Sequence, residues 1–168
     1  MISIVTTRFN EDTWRENVEY RMRNSIDSGC IYGSPHELSS KIHYGSIVFV
    51  LEMNNTTNLI EGIGLIKNMP CSDKYYSIHS DCNYNRYIYK SNYRIDRSHI
   101  VADNKKSLLN ILEYLVFYEK THLKRGSGFT IINQQLIKKK HHEKIKKIDV
   151  NKIIKSLQII FKVVFNNI

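Results

Sequence analysis

Two apolar runs separated by a short polar turn constrain the fold of this chain more than any other feature. Residues 46–53 are almost continuously apolar, which is typical of a strand that is buried on both faces. Residues 54–58 are polar and predict a turn, after which residues 59–66 return as the partner strand. Gly62 and Gly64 in the second run predict a bulge or a tight bend. The centre of the fold is therefore predicted to be a β-hairpin.

Further strand and helix patterns precede and follow this hairpin. Residues 2–9 are rich in β-branched side chains and predict an opening strand. Asn10 is a suitable cap for a helix whose first two residues are acidic. Residues 86–95 predict a second hairpin, with Asn92 at its turn. Up to this point the chain is predicted to be mainly β-structure with one early helix.

Helical patterns dominate the remainder of the chain. Asp103 or Ser107 could cap a helix with a leucine-rich stripe, and residues 129–132 predict one more strand. Beyond them, apolar residues recur at a helical period within a Lys/His-rich segment. We therefore predict an α+β protein, built as a small β-barrel or curved mixed sheet with two or three flanking helices. Residues 1–135 are expected to fold as the domain, with a basic amphipathic C-terminal helix over residues 136–168.

The positive charge of the chain is concentrated in one segment. The net charge is +9, and residues 120–155 hold eleven Lys and Arg against two acidic residues. The rest of the chain holds fourteen basic and fourteen acidic residues and is neutral overall. A localised positive segment beside a neutral body is typical of proteins that bind a polyanion such as a nucleic acid.

Several classes of protein and site are not predicted. The three cysteines form no CxxC pair, which favours a reducing compartment over a disulfide framework. No signal peptide is evident, and the longest apolar stretch, residues 157–165, is too short to span a membrane. Cys71, His79, Asp81 and Cys82 lack the paired spacing of zinc modules. We therefore expect a soluble intracellular protein with no transmembrane segment, no metal and no cofactor.

An aromatic and basic cluster is the first candidate surface for nucleic acid. Bases stack on tyrosine rings, and arginine and lysine neutralise phosphates. The predicted contact residues are Arg86, Tyr87, Tyr89, Lys90 and Arg94. On a strand, Tyr87 and Tyr89 would share one face, while Arg86 and Lys90 would share the other. The alternative is a structural hairpin whose tyrosines are half-buried in the core and whose charges face solvent.

A glycine-containing loop is the second candidate. Consecutive backbone N–H groups around two glycines can form a concavity for an anion, and neighbouring cations add charge. The predicted phosphate contacts are Lys120, His122, Lys124, Arg125, Gly126 and Gly128. The alternative is an ordinary turn with solvated lysines. The Lys/His-rich residues 138–147 could likewise track a phosphate backbone or an anionic membrane, or form a solvated helix end.

No motif for catalysis is present in the sequence, and no catalytic residue is predicted. Glu52, Glu61 and His122 are the candidates for an enzyme that acts on nucleic acid, but no Asp/Glu-x-Lys completes a metal-dependent nuclease centre. The main prediction is a non-enzymatic nucleic-acid-binding protein, with RNA favoured over DNA. The alternatives are that enzyme, or a protein- or membrane-docking module that uses the basic tail.

Residues 45–68, 84–90 and 120–128 resemble an uncharacterised family of nucleocytoplasmic large DNA viruses of the giant-virus type, over roughly residues 1–135. The composition, rich in Asn, Lys and Ile, is similar to that of AT-rich viral genomes of this kind. The resemblance implies a viral protein of the host cytoplasm or viral factory and implies no activity.

The order of elements also resembles that of PUA-like barrels, the group that includes PUA, EVE, ASCH and YTH domains. Gly45 and Ser46 stand where that group often has Gly-Asp, and residues 61–64 resemble its partner strand. This resemblance implies binding of RNA or modified bases in a cleft. The aromatic cage of methyl-base readers needs placed tryptophans, and Trp14 is the only tryptophan of the chain.

Overall fold

The computed structural model describes residues 2–102 and 105–166, which form two sheets and six helices. The strands are β1 (Ser3–Phe9), β2 (Cys30–Ser34), β3 (Ile47–Asn54), β4 (Leu59–Lys67), β5 (Tyr87–Ser91), β6 (Arg94–Asp96) and β7 (Thr130–Ile132). The helices are α1 (Glu11–Arg23), α2 (Arg97–Ala102), α3 (Lys106–Phe117), α4 (Gln134–Lys138), α5 (Glu143–Lys146) and α6 (Val150–Phe165), and a short 3₁₀ helix spans Cys82–Asn85.

The main sheet has the strand order β6-β4-β3-β1-β7. Strands β1 and β3 run parallel, while the other neighbours are antiparallel, so the sheet is mixed. Strands β2 and β5 pair antiparallel as a separate sheet. The predicted α+β class and mixed sheet are therefore confirmed. The described residues form no closed barrel, and they form more helices than the two or three predicted.

Strand β3 is buried on both faces, as its continuous apolar run predicted. Phe49, Leu51 and Met53 belong to a large hydrophobic cluster with the helices that follow β6. Val48 and Val50 face the other way and pack in a second cluster, which includes residues of β2 and β5. The main sheet is thus the middle layer between helices on one side and the two-stranded sheet with α1 on the other.

The predicted bulge is present in the central hairpin. Leu51 pairs with Ile63 and Met53 pairs with Ile60, so two residues of β4 lie opposite Glu52. A bulge of this kind bends the strand and re-aims the side chains beside it. The predicted turn after β3 is also confirmed, since β3 ends at Asn54 and β4 begins at Leu59.

The predicted second hairpin at residues 86–95 is wrong. Strand β5 pairs with β2 and places Tyr87 opposite Ser34, whereas β6 pairs with β4 and places Ile95 opposite Ile63. Consecutive strands therefore lie in different layers, and the Asn92 segment crosses between them. Both Ile88 and Ile95 are buried by this arrangement, in different parts of the core.

The predicted caps had different outcomes. The Asn10 side chain accepts a hydrogen bond from the Thr13 amide at 2.8 Å, which confirms it as the cap of α1. Helix α3 begins at Lys106 after Lys105, so Ser107 lies inside the helix and is not its cap. Asp103 lies outside the described residues.

The C-terminal segment forms three helices that pack into the main core, where one basic helix was predicted. Ile137, Leu157 and Phe161 are buried in the same cluster as the sheet residues. Lys140 is also buried, and its ammonium group donates to the Tyr118 carbonyl at 3.0 Å. The hydrophobic core is therefore continuous across the expected boundary at residue 135. No helix of the described chain is long and apolar enough to cross a membrane.

Candidate functional site

A cleft of about 410 Å³ opens where β1 and β3 end. These two strands are parallel, and the crevice beyond the carboxyl ends of parallel strands is a common ligand site in open sheets. The walls of the cleft come from the end of β1, the first turns of α1, residues 79–84 and the loop at residues 124–128. The glycine-containing loop that was predicted as the second candidate surface thus lies at a cleft. There it is next to elements from the first half of the chain.

Two side chains hold the 124–128 loop against the sheet. The Arg8 guanidinium donates hydrogen bonds to the Leu123 carbonyl and, at 2.9 Å, to the Gly128 carbonyl. Asn55 follows β3 and donates its amide to the Lys124 carbonyl at 2.9 Å. Burial lowers the pKa of Arg8, but arginine remains protonated because its ordinary pKa is so high. A fixed cation therefore lies under the loop.

The loop lines the cleft with backbone donors that bond no other described residue. Gly126 has a φ of 103° and Gly128 a φ of 64°, which other residues adopt only with strain. A Cβ at Gly128 would also lie 2.8 Å from the Ser34 hydroxyl. The amides of residues 126–128 donate to no other described residue, and the half-buried Lys124 has no acidic partner within the described chain. This arrangement is suited to an anion.

The other predicted members of this loop lie outside the cleft wall. Lys120 and Arg125 are exposed. His122 is half-buried, and its Nδ1 accepts a hydrogen bond from the Lys124 amide at 3.3 Å, which shapes the turn. Of the predicted phosphate contacts, the structure brings Lys124, Gly126 and Gly128 together and leaves the others at the periphery.

Two members of the aromatic and basic cluster are buried, so they are unavailable to a ligand at the surface. The Tyr89 hydroxyl accepts a hydrogen bond from the Leu38 amide at 3.0 Å, and its ring packs on Phe129. The side chain of Arg94 is 2% exposed. The prediction that they contact nucleic acid did not allow for β5 and β6 belonging to different sheets, whose packing buries both side chains.

Arg94 belongs to a buried charged network. It bonds both oxygens of the Glu52 carboxylate, at 2.9 and 2.8 Å, and the Tyr32 hydroxyl donates to the same carboxylate at 2.7 Å. Burial alone would lower the pKa of Arg94, but the adjacent Glu52 outweighs it and raises the pKa. A Cβ at Gly62 would lie 2.6 Å from both Arg94 and Glu52, and one at Gly64 would lie 2.1 Å from the Tyr32 hydroxyl. The two glycines make room for this network.

The remaining members of the cluster lie on two sides of β5. Lys90 is on the side away from the main sheet, where its ammonium bonds the Tyr76 hydroxyl and pairs with Asp73 at 3.1 Å. Tyr87 is half-buried and is the β5 residue opposite Ser34, which in turn contacts Gly128. The exposed Arg86 guanidinium lies 5.9 Å from the centre of the Tyr87 ring. Neither Tyr87 nor Arg86 lines the cleft, and Ser34 is the residue that connects Tyr87 with the 124–128 loop.

The opposite wall of the cleft holds side chains that the sequence did not identify as a nucleic-acid site. His79 Nδ1 lies 2.9 Å from a Glu16 oxygen, and the Ser80 amide donates to the other oxygen at 3.1 Å. Burial would raise the pKa of Glu16, but the bonds from Ser80 and His79 outweigh it and lower the pKa. Tyr84 lies edge-on to the His79 ring, with ring centres 6.0 Å apart. Glu16 and His79 come from α1 and from a polar loop without periodicity, so no pattern connected them, whereas Tyr84 begins the aromatic and basic stretch of the sequence.

The candidates for an enzyme centre are not assembled. Glu52 lies in the buried network, and Glu61 accepts from Asn54 and Thr57 in the turn of the central hairpin. His122 shapes the 124–128 loop. Over residues 2–102 and 105–166, no three His, Cys, Asp or Glu side chains are placed to hold a metal ion.

Comparison with protein-family models, with curated proteins and with solved structures gives no match to this chain.

Proposed function

We propose that the protein binds single-stranded nucleic acid, RNA in preference to DNA, in the cleft at the ends of β1 and β3. The observation that carries the proposal is the unpaired donor set of the 124–128 loop. Three amides and a lysine that have no partner among the described residues match the acceptor-rich, charged oxygens of a phosphate. The Arg8 cation beneath the loop adds to the field.

The other wall favours a sugar over a second phosphate. Asp12 and Asp81 line it beside Glu16, whose two oxygens are already engaged by His79 and Ser80. Carboxylates repel phosphate but accept hydrogen bonds from hydroxyl groups, and Asp12 and Asp81 are the acceptors offered to a sugar. A ribose 2′-hydroxyl is a donor that deoxyribose lacks, and it is the group by which proteins distinguish RNA from DNA. The polarity of the cleft thus supports a backbone laid with phosphate at the loop and ribose toward α1.

Aromatic side chains beside the cleft supply surfaces for bases. Tyr84 is half-buried in its wall, and Tyr87 lies close by with Arg86. Stacking of one base on an aromatic side chain contributes about 1–3 kcal/mol and tolerates any base. Exposed lysines of the C-terminal helices would add a long-range attraction for the strand.

The family resemblances remain part of this proposal. A PUA-like domain would share a cleft that takes RNA, although the strands described here do not close into a barrel. A viral protein of the reducing host cytoplasm or viral factory would carry free thiols, as Cys30, Cys71 and Cys82 do.

Titration of a labelled single-stranded RNA at several salt concentrations tests the proposal. Contact with four to six phosphates predicts that log affinity falls with log salt at a slope of about −3 to −4. Lys124→Gln should weaken binding and make the slope about one unit less steep. Lys67→Gln is the matched control, because this exposed lysine pairs with the first residue of β3, whereas the cleft lies beyond the last residue of β3. A slope near zero, or equal effects of the two substitutions, would contradict the proposal.

The exposed face of α6 favours a second candidate function, docking on an anionic membrane. Ile159 and Val163 are 59% and 60% exposed, and Lys155 and Lys162 adjoin them. An exposed apolar and basic helix face is typical of membrane-surface helices. Ile159→Ser with Val163→Ser should abolish co-sedimentation with phosphatidylserine vesicles if this candidate holds, and should leave RNA affinity unchanged.

A further inference from the structure

The histidine in the cleft is held in a single orientation. His79 has a side chain that is only 3% exposed, and its Nδ1 lies 2.9 Å from Glu16. An ionised carboxylate only accepts hydrogen bonds, so Nδ1 carries a hydrogen and Nε2 is the ring nitrogen that can accept a proton. No other described residue bonds Nε2. The tautomer and the position of the basic nitrogen are thus both set by Glu16.

The surroundings of the ring fix it further. Phe9 and Tyr84 flank it, with ring centres 6.5 and 6.0 Å away. The Cδ2 atom, which adjoins Nε2, lies over Gly33, where a Cβ would be 3.4 Å away. Both His79 and Gly33 line the cleft. That Cβ would meet the Tyr84 carbonyl oxygen first, at 2.1 Å, so a glycine at position 33 lets the backbone of residue 84 approach this wall.

An imidazole with a carboxylate behind it is the arrangement by which enzymes hold a general base. The opposite wall supplies Lys124 and the free amides of residues 126–128. Donors fixed where negative charge develops lower the barrier to a phosphoryl displacement. The cleft therefore combines a base on one wall with an oxyanion-binding loop on the other.

We propose that His79 is the general base of a metal-independent cleavage of single-stranded RNA, with Glu16 as its positioning residue. This rests on the proposed function, since the RNA must lie in the cleft. His79 Nε2 accepts the proton of a ribose 2′-hydroxyl, and the 2′-oxygen attacks the adjacent phosphorus. The bond from phosphorus to the 5′-oxygen breaks, and the leaving oxygen takes a proton from water. The products are a 2′,3′-cyclic phosphate end and a 5′-hydroxyl end, and His79 returns its proton to solvent.

The role of Lys124 follows from the same reaction. As the 2′-oxygen attacks, negative charge increases on the non-bridging oxygens of the phosphate. The Lys124 ammonium and the loop amides would stabilise that charge more in the transition state than in the bound substrate. DNA would bind at the loop but would not react, because it has no 2′-hydroxyl.

The experiment uses the full chain with a labelled single-stranded RNA in the presence of a metal chelator, with binding and cleavage measured on the same samples. Wild-type protein should release fragments that end in cyclic phosphate, and an RNA with 2′-deoxyribose at the cleavage site should resist. His79→Ala should lower kcat by about 100-fold or more with RNA affinity unchanged, since a general base contributes roughly 10²–10⁴-fold. Added imidazole should restore part of that rate.

Two further variants complete the design. Glu16→Gln should lower kcat with KM unchanged, because the amide no longer stabilises a protonated His79 ring. His99→Gln is the matched control, since this exposed histidine of α2 lies outside the cleft and should keep the full rate.

The outcomes separate this inference from the proposed function. RNA that binds but stays intact would overturn the cleavage and leave the binding function standing, whereas RNA that does not bind would overturn both. Equal rates for His79→Ala and wild type, or equal cleavage of DNA, would also overturn the inference. Should His79→Ala fail to fold, Glu16→Gln and the 2′-deoxy substrate still decide the question.

Discussion

The cleft loop and the buried Glu52–Arg94 network each contain a cationic side chain, but the two cations differ in whether they have a partner within the fold. In the network, Arg94 lies 2.8 Å from carboxylate oxygens of both Glu52 and Asp96, so its charge is balanced within the fold. In the loop, Lys124 has no acidic partner among the residues described, and neighbouring amides are unpaired. A cation that is already paired stabilises the protein, whereas one that lacks a partner is available to a ligand. The partner, and not the residue type, decides between these roles.

The largest expected effect is the loss of the buried network. Arg94→Ala removes one side of a bidentate ion pair and leaves the Glu52 carboxylate buried without it. Removing one partner of a buried pair costs about 3–5 kcal/mol, so the free energy of unfolding in urea should fall by that amount. Lys124→Ala in the cleft should leave the urea midpoint nearly unchanged. An Arg94→Ala protein as stable as wild type but weak in RNA binding would contradict a structural role for Arg94.

A similar loss is expected in the C-terminal helices, where buried and exposed residues share one helix. Leu157 is fully buried in the main cluster, so Leu157→Ala should cost about 2–5 kcal/mol in chemical denaturation. Ile159 is the control in α6, and Ile159→Ala should change stability by less than about 0.5 kcal/mol.

A chain that ends at residue 135 should fail to fold, because it lacks the buried residues of the C-terminal helices. A cooperative melt of that shorter chain would show that the first expectation, of an independent domain, was sound.

Tyr87 and Tyr89 lie on one strand and test the same distinction between a residue of the core and a residue near the cleft. Tyr89→Phe leaves the buried Leu38 amide without its acceptor, which should cost about 1–3 kcal/mol of stability and leave RNA affinity unchanged. Tyr87→Ala should instead weaken RNA binding by about 1–3 kcal/mol if a base stacks there. A melt and a titration on the same samples measure both. Equal behaviour of the two variants in both assays would contradict the assignment of one to the core and the other to the cleft rim.

The smallest effect is expected in how the stability of the fold depends on pH below neutrality. Hydrogen bonds from Ser80 and His79 lower the pKa of Glu16 in the folded protein, against the opposing effect of burial. Glu16 therefore stabilises the fold fully above its pKa in the unfolded chain, and this contribution is lost as the pH falls through its lower folded pKa. Below neutral pH, the stability of Glu16→Gln should decline less with acid than that of wild type. Parallel curves for the two proteins would contradict a stabilising role of the Glu16 carboxylate.

Local patterns in the sequence were sufficient for some elements of the fold. The apolar run of β3, the turn after it, the bulge near Gly62 and the cap at Asn10 are each confirmed, because each depends on neighbours in the chain. The pairing of β5 with β2 depends on contacts across more than 50 residues, for which no local pattern exists. The predicted hairpin at residues 86–95 failed for that reason.

The same distinction applies to the candidate site. The 124–128 loop could be predicted because its glycines and lysine lie within five residues of one another. The structure places Lys124, Gly126 and Gly128 at the cleft. The opposite wall could not, since Glu16 and His79 are 63 residues apart and meet only in the folded chain. Nor did the sequence distinguish Tyr89 and Arg94, which are buried, from Tyr87 and Arg86, since the alternation of a strand does not reveal which layer covers it.

The amide signals of residues 126–128 report directly on whether this loop holds a phosphate. In a titration of ¹⁵N-labelled protein with a short single-stranded RNA, amides that donate to a phosphate should shift downfield and saturate together with binding. The largest shifts are expected at Gly126, Ser127 and Gly128, with smaller ones at His79 and Tyr84 across the cleft. RNA that binds while these amides stay unmoved, with shifts centred on α6 instead, would contradict it.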